Sequence, residues 1–375
     1  MSFSVEFWSS VELAGFNRGL MRELRSAGVE ATHRFEVAEN DYRFALGAVA
    51  RARLRWRSYV SYPRHLRHEL RAPRASPIAV ICTNTFYAPA VAVRAARRRG
   101  LRVVNWVLDL FPDVLVESGT ITSAGFLDRQ LGRLARATFS GADANVFLGD
   151  RRRAHATARH GDIPRSRVMP VGADGQPFRD RPPQPRPPGE PVRVLYCGNL
   201  GRMHEVDTLV EVLRASSPQG WTMEFRGHGA GYRQLETAVR QTSVVHFGPG
   251  LPDAEWTQAL QAADVALVTL KRGAEGLVMP SKTYSAMVAG QAILAVCPRE
   301  SDLADTVLAS DAGWVVEPGD TGGLRAILAG LAQRPAEVLQ KRRNAFAAGH
   351  QRYDQSVLSR QWIDLLGSLP PRADA

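Results

Sequence analysis

Pro280-Ser281-Lys282-Thr283-Tyr284-Ser285-Ala286-Met287-Val288-Ala289-Gly290 decides how this chain is read. A glycine-containing loop, Gly273-Ala274-Glu275-Gly276, precedes it, and the apolar run Ala292-Ile293-Leu294-Ala295-Val296 follows. Proline suits a helix start, where its missing N–H needs no partner. Ser281 and Lys282 then offer backbone N–H groups, a hydroxyl and a cation at the positive end of a helix dipole, a fitting place for a diphosphate. The short helix closes at Gly290 and runs straight into a strand, which sets the site on a nucleotide-binding α/β domain.

Outward from this stretch, strands and helices alternate along the chain. In the first half, Phe3 to Trp8, Glu30 to Val37, Ile78 to Thr83, Leu101 to Leu108 and Ala144 to Leu148 read as strands. A loop with Gly15 and a helix through Leu20 to Leu24 follow the first of them, and helices at Ala88 to Arg99 and Phe126 to Phe139 follow later ones. This rhythm predicts a parallel sheet covered by helices. Arg179 to Pro191 carries six prolines in thirteen residues, which excludes a helix interior or central strand and favours an extended spacer. The pattern restarts at Val192 and repeats through strands at Thr222 to Arg226, Val244 to Phe247, Val265 to Thr269 and Ala292 to Val296. The expected organisation is a first Rossmann-like domain over 1–178, a linker over 179–191, a second such domain over 192–350, and a C-terminal helix within 351–375 that packs back on the first domain. Two such domains are expected to face a central cleft, with ligands at the carboxyl ends of the strands.

Composition bounds the rest. A chain of 375 residues with 45% hydrophobic content buries a core and accommodates two domains. The N-terminus has no basic region ahead of an apolar core and does not read as a signal peptide. The apolar stretch around 77 to 93 is broken by Pro77, Thr83, Asn84, Thr85 and Pro89, so it reads as a strand plus a helix, not a membrane span. Cys82, Cys197 and Cys297 lie in apolar runs and read as buried thiols of a reducing cytoplasm. Residues 1–180 hold 28 arginines against 17 carboxylates, an excess of 11 that equals the net charge of +11 of the whole chain. The excess is densest from Arg43 to Arg74, with Arg51, Arg53, Arg55, Arg57, Arg64, Arg67 and Arg71 between them and Trp56, Tyr59 and Tyr62 interleaved. Such a segment suits an anionic bilayer surface. Nucleic acid is the rival partner, and a solvated helix face in an arginine-rich chain is the plain alternative. The reading adopted is an anionic membrane surface and no nucleic acid.

Three glycine loops follow strands of the second half: Gly198-Asn199-Leu200-Gly201-Arg202, Gly227-His228-Gly229 and Gly248-Pro249-Gly250. Each lets backbone approach a ligand closely, and each is equally compatible with an ordinary turn. Arg202 offers a further phosphate contact or is a surface arginine. On one sheet edge with the Pro280 helix, the loops suggest a nucleotide-diphosphate site.

With these residues quoted, the second half resembles the C-terminal domain of family 4 glycosyltransferases of the GT-B fold, and most of all the subgroup that makes bacterial surface polysaccharides such as O-antigen. The G-x-L-G loop is Gly198 to Gly201. The G-x-G before a helix is Gly227 to Gly229, ahead of Leu235-Glu236. V-x-F with a glycine is Val245 to Gly248, and the Ala-Asp-Val strand is Ala263 to Val265. P-S-K-x-Y ending in A-x-G is Pro280 to Gly290, shortened at its end. In the first half, D-L-x-P is Asp109 to Pro112 with Gly119 following, and P-x-G-x-D is Pro170 to Asp174. The chain departs from the family at four places. The family's Glu-x7-Glu falls on Leu277 and Ser285, with Glu275 two residues from the first. Its loop lysine falls on His204. Its histidine ahead of the aspartate falls on Leu108.

The resemblance implies transfer from a nucleotide-diphosphate sugar, a UDP-sugar favoured, with retention; no metal or other cofactor is expected, because the chain shows no Asp-x-Asp pair and no His/Cys cluster at ligand spacing. It implies a donor site at Gly198, Asn199, Gly201, Arg202, Gly227, His228, Gly229, Phe247, Glu275, Ser281, Lys282, Tyr284 and Ser285. Asp109 is the catalytic candidate, orienting sugar or acceptor, or a carboxylate capping its own turn. Gly15 is the acceptor-side candidate, or a plain strand–helix turn. The acceptor is expected to be a lipid-linked saccharide met by a cytoplasmic enzyme at the inner face of the plasma membrane. The alternatives are a soluble small-molecule acceptor, a nucleotide-sugar 2-epimerase, and a non-catalytic sugar-nucleotide-binding regulator or scaffold.

Overall fold

Five-residue runs without a polar break, such as Ile78–Cys82, Val265–Thr269 and Ala292–Val296, are buried at every position, as strands covered by helices on both faces must be. They lie at the centres of two sheets in the computed structural model, which describes residues 3–39, 41, 47–72, 76–96, 100–214, 220–239 and 244–370. The chain divides into two units, one formed by Met1–Val171 with Leu358–Ala375 and the other by Gly172–Val357.

The first unit contains β1 (Ser4–Val11), β2 (Glu30–Val37), β3 (Ile78–Cys82), β4 (Arg102–Val107), β5 (Ala144–Phe147) and β6 (Ser166–Val168), in spatial order β2-β1-β3-β4-β5-β6. The second contains β7 (Val192–Asn199), β8 (Trp221–His228), β9 (Val245–Gly248), β10 (Val265–Thr269), β11 (Ala292–Val296) and β12 (Gly313–Val316), in order β12-β11-β10-β7-β8-β9. Every pair in both sheets is parallel. The strand order therefore reverses once in each sheet, between β1 and β3 and between β7 and β10. Outside the carboxyl ends at such a reversal, the connections leave in opposite directions and open a crevice. The expected α/β class with two parallel sheets is observed.

Successive strand residues point to opposite faces, and β1 uses both. Trp8 joins Tyr62, Leu66, Ile81 and Ala92 in one buried cluster. Phe7 meets Trp106 and Trp362 edge-on, at ring separations of 6.0 and 5.3 Å. Trp362 belongs to the helix Gln355–Gly367, whose residues from Leu358 onward form part of the first unit. In the second unit the proline-rich segment lies along the protein. Arg181 donates to Gln261 Oε1 at 2.6 Å, Arg342 donates to Gln184 O at 3.1 Å, and Arg186 and Arg342 both pair with buried Asp264.

Sequence pattern gave the long elements and passed over several short or polar ones. Among these are β6, β12 and the helix Asp150–His160, which is rich in arginine and histidine. Gly15, expected in a loop, falls within the helix Ala14–Ser26, and its surroundings lie outside the described residues. The thiols also differ in part: Cys82 and Cys297 are buried, whereas Cys197 is half-buried.

Trp362 is 1% exposed, so Trp362→Ala is expected to destabilise the protein by about 3–5 kcal/mol through the cavity it leaves. Urea unfolding checks this, and a midpoint equal to that of wild type contradicts it.

Candidate active site

The reversal between β7 and β10 collects most of the donor candidates. Register pairs Gly198 directly with Gly227 and Asn199 with His228. A Cβ on Gly227 would stand 1.9 Å from the Gly198 carbonyl oxygen, and one on Gly229, at φ +124°, would stand 2.3 Å from that of Leu200. Close backbone packing of one loop on the other therefore fixes these glycines. The Leu200 carbonyl in turn accepts from the amides of Gly231 and Tyr232 at 2.9 and 3.2 Å, at the start of the helix Ala230–Ala238.

Lys282 reaches this edge from the next element. Its Nζ donates to the Tyr196 hydroxyl and, at 3.3 Å, to the Asn199 carbonyl, and it sits 3.7 Å from the centre of the Tyr196 ring. Burial brings its pKa down to about 7, with Cys197 opposing the shift. His204 stands beside it. The His204 Nδ1 lies 2.8 Å from the Thr269 carbonyl at the end of β10. A carbonyl only accepts, so Nδ1 carries the proton and Nε2 is left as an acceptor. Burial and the nearby Lys282 charge hold His204 neutral, with its pKa lowered to about 3. The position that holds a lysine in the family thus holds a neutral ring, and the cation at this edge is Lys282.

The helix at Lys282–Val288 has seven residues. The amides of Thr283 and Tyr284 bond back to Pro280 and Ser281, at 3.1 Å each, while those of Ser281 and Lys282 have no acceptor among the described residues. So short a helix adds little dipole, and the local positive charge is mainly that of Lys282. Ser281 and Arg202 are exposed, Ser285 and Glu275 are half-buried, and Arg202 makes no hydrogen bond or ion pair among the described residues. Burial above all raises the Cys297 thiol to about 12, against a Ser301 hydrogen bond, and the carboxylates Glu317, Asp305 and Glu275 add to the rise.

Two candidates also make ring contacts within the fold. Tyr284 is buried with its ring 4.9 Å from that of Tyr353, and Phe247 stacks on Phe225 at 5.1 Å. Such packing contacts are a role that spacing alone does not separate from ligand contact. Leu277 is buried as well.

Asp109 follows β4 in the first unit. Thr83 Oγ1 donates to its carbonyl at 2.8 Å and accepts from its amide at 2.9 Å. Burial raises its carboxyl pKa, opposed by Arg152. Arg152 is fully buried and donates to the carbonyls of Val107 and Leu108 at 3.2 and 2.6 Å. Sequence reading missed it, since it stands in Arg151-Arg152-Arg153 and looks like any surface arginine. Next along the chain, Asp113 is bound by His155 and His160 at 3.0 and 3.1 Å and by Arg159 at 2.8 Å. Burial alone would raise its pKa, but these hydrogen bonds and the charges of His160 and Arg159 outweigh it and bring the value to about 2. Among the described residues no three His, Cys, Asp or Glu side chains are placed to hold a metal ion.

Residues 191–334 match the family described as glycosyl transferases group 1. The chain is 30% identical over 263 residues to WbjE of Pseudomonas aeruginosa, whose name reads "probable glycosyltransferase"; the match covers 63% of this chain and 64% of that protein. It is 28% identical over 211 residues to WcaL of Escherichia coli, named as a colanic acid biosynthesis glycosyltransferase, over 54% and 51% of the two chains. The chain thus spans less than two thirds of these relatives' lengths. HepE of Anabaena, solved in complex with UDP, superimposes with a TM-score of 0.70 at 15% identity, over 98% of this chain and 100% of the other. At that identity the likeness shows the fold, the GT-B architecture.

A lysine with a pKa near 7 that meets an anion takes up a proton. Titrating the protein with UDP near pH 8, in buffers of different ionisation enthalpy, is expected to show uptake approaching about one proton, which is absent in Lys282→Arg. Equal uptake by both proteins contradicts the placement of the anion beside Lys282.

Proposed function

We propose, for a chain whose residues 191–334 form a glycosyl transferases group 1 domain, that the protein moves a sugar from a nucleotide-diphosphate sugar, a UDP-sugar in first place, to an acceptor. The observation that carries this reading is the Lys282 ammonium beside the Asn199 carbonyl, at the strand-order reversal and next to two glycine loops packed on each other. A diphosphate leaving group gains negative charge as the glycosidic bond breaks, and a preplaced cation with open backbone amides stabilises that charge. Arg202 and the amides of Ser281 and Lys282 are the further donors in this reading, and Glu275 holds the ribose in place of the absent carboxylate pair. The bond from the anomeric carbon to the diphosphate breaks, and a new bond forms to the acceptor oxygen on the same face. The acceptor hydroxyl's proton passes to the departing diphosphate, so no dedicated base is needed. Asp109 orients the sugar or the acceptor.

The acceptor in this reading is a lipid-linked saccharide of surface polysaccharide synthesis, met at the inner face of the plasma membrane. The name of WcaL supports the pathway class. The surface of the first unit supports the location. The helix Gly47–Trp56 buries none of its residues, and Val49 and Trp56 are 84% and 60% exposed among its arginines. Among the described residues no helix is long and apolar enough to cross a membrane, so the attachment in this reading is peripheral.

Two experiments test the two halves of the reading. Transfer is expected to continue in chelator, and Lys282→Ala is expected to weaken UDP binding by about 1.5–3 kcal/mol. Unchanged affinity in a folded variant rules the donor site out. Wild-type protein is expected to bind anionic vesicles less as salt rises, because exposed charges are screened within about 8 Å at physiological ionic strength. Replacing Arg51, Arg53, Arg55 and Arg57 with Gln is expected to reduce vesicle binding and leave UDP binding unchanged. Wild-type protein that ignores such vesicles at low salt favours a soluble acceptor.

A further inference from the structure

The strand-order reversal of the first sheet, between β1 and β3, is as well furnished as the one in the second. The loop leaving β3 carries Asn84, Phe86 and Tyr87, and the loop leaving β4 carries Asp109 and Phe111. Phe86 gathers three rings about itself: Tyr87 at 5.0 Å, Phe111 at 5.7 Å and Tyr59 at 5.9 Å. All three phenylalanine and tyrosine rings of the two loops are half-buried, and Tyr59 is 38% exposed. Tyr59 stands on a π-helical segment, Arg57–Ser61, that continues the exposed helix Gly47–Trp56. Thr85 Oγ1 donates to the Ser58 carbonyl at 3.0 Å and fastens that segment to the β3 loop. Val49 and Trp56, two α-helical turns apart, share one face, and Tyr59 follows on the π-helical segment. Exposure thus falls step by step from Val49 through Trp56 and Tyr59 to Phe86 and Phe111, beside Asp109.

Polar groups flank both ends of this row. Asn84 Oδ1 accepts from the Ser10 amide at 3.2 Å, while its Nδ2 is buried with no partner among the described residues. Asn17, on the helix that leaves β1, is 1% exposed, and neither of its side-chain polar atoms has a partner among the described residues. Buried amide groups without partners are rare and costly, and two of them lie on elements that meet at one reversal. Along the outer end, residues 47–68 hold six arginines and no carboxylate. An occupant of this row must therefore be apolar along its length, anionic near the arginines and rich in hydrogen-bonding groups at its inner end.

We propose that the row Trp56, Tyr59, Phe86 and Phe111 is a binding track for an amphipathic anionic glycolipid, with its chain along the rings, its phosphate among the arginines and its sugar beside Asn84 and Asp109. The proposal deepens the reading of the acceptor given above and rests on it, but the site is confined to the first unit and its occupancy is measured without any transfer. It differs from docking onto a bilayer, because Phe86 and Phe111 are half-buried at the sheet edge and engage a single molecule.

Dodecyl phosphate, below the concentration at which it forms micelles, is the probe, with inorganic phosphate and neutral dodecyl maltoside as comparisons and calorimetry as the readout. The expected result is that dodecyl phosphate binds at least about tenfold tighter than either, a ratio that each further 1.4 kcal/mol of binding provides. Phe86→Ala is expected to lose about that factor for dodecyl phosphate, while UDP affinity and anionic-vesicle binding stay at wild-type values. Tyr59→Ser, at an exposed position, gives a second variant that keeps the fold and is expected to lose affinity in the same direction. Dodecyl phosphate binding no tighter than inorganic phosphate overturns the track. So does equal binding of dodecyl phosphate by wild type and both variants. Dodecyl maltoside binding as tightly as dodecyl phosphate overturns the anionic part and makes the row a neutral saccharide platform.

Discussion

Gly227 leaves no room for a side chain between the first two strands of the second sheet, and Gly198, its partner in register, holds a φ of +121°. A Cβ at 227 would stand 1.9 Å from the opposing carbonyl, so the two strands stay paired to their last residues and their loops emerge in contact. That constraint fixes the Asn199 carbonyl, and the carbonyl together with the Tyr196 ring gives the Lys282 ammonium its position. Burial, with the nearby Lys282 charge, keeps His204 neutral, and Lys282 brings a positive charge to the crevice between β7 and β10. Each step depends on the one before it, from a backbone contact to a charge ready to meet an anion.

The two units solve one geometric problem with different chemistry. Both are parallel sheets whose order reverses once, and both place their distinctive side chains at the carboxyl ends by that reversal. In the second unit the groups are glycines, backbone amides and a lysine, which suit a compact anion. In the first they are rings, amides and a half-buried carboxylate bordered by arginine, which suit something larger and less uniform. In the proposed transfer reaction each surface takes one substrate.

Much of this was legible in the sequence, and the limits have physical reasons. Apolar runs such as Ala292–Val296 mark central parallel strands because both faces are covered, and the ordered glycine loops mark the edge where backbone comes close to backbone. Spacing does not separate a ring that packs from a ring that binds, so Tyr284 and Phe247 stood among the ligand candidates while the structure sets them against Tyr353 and Phe225. Arg152 was hidden between two arginines because burial is a property of the fold and not of the residue. The row from Tyr59 to Phe111 was invisible for another reason. Its members lie on three separate connections, and only the order β1-β3-β4 brings them together. The short helix at Lys282 was read correctly as a helix, but its seven residues shift the weight of the argument from dipole to lysine.

The central claim is that a nucleotide diphosphate is held where β7, β8 and β10 end, beside Lys282. A crystal structure of the protein with UDP bound tests it most directly. The account predicts diphosphate oxygens within hydrogen-bonding distance of Lys282 Nζ and of backbone amides in the Gly198–Gly201 loop or at Ser281 and Lys282. A diphosphate bound in ordered density at any other place on the protein, with the Lys282 ammonium still turned to Tyr196 and Asn199, contradicts it.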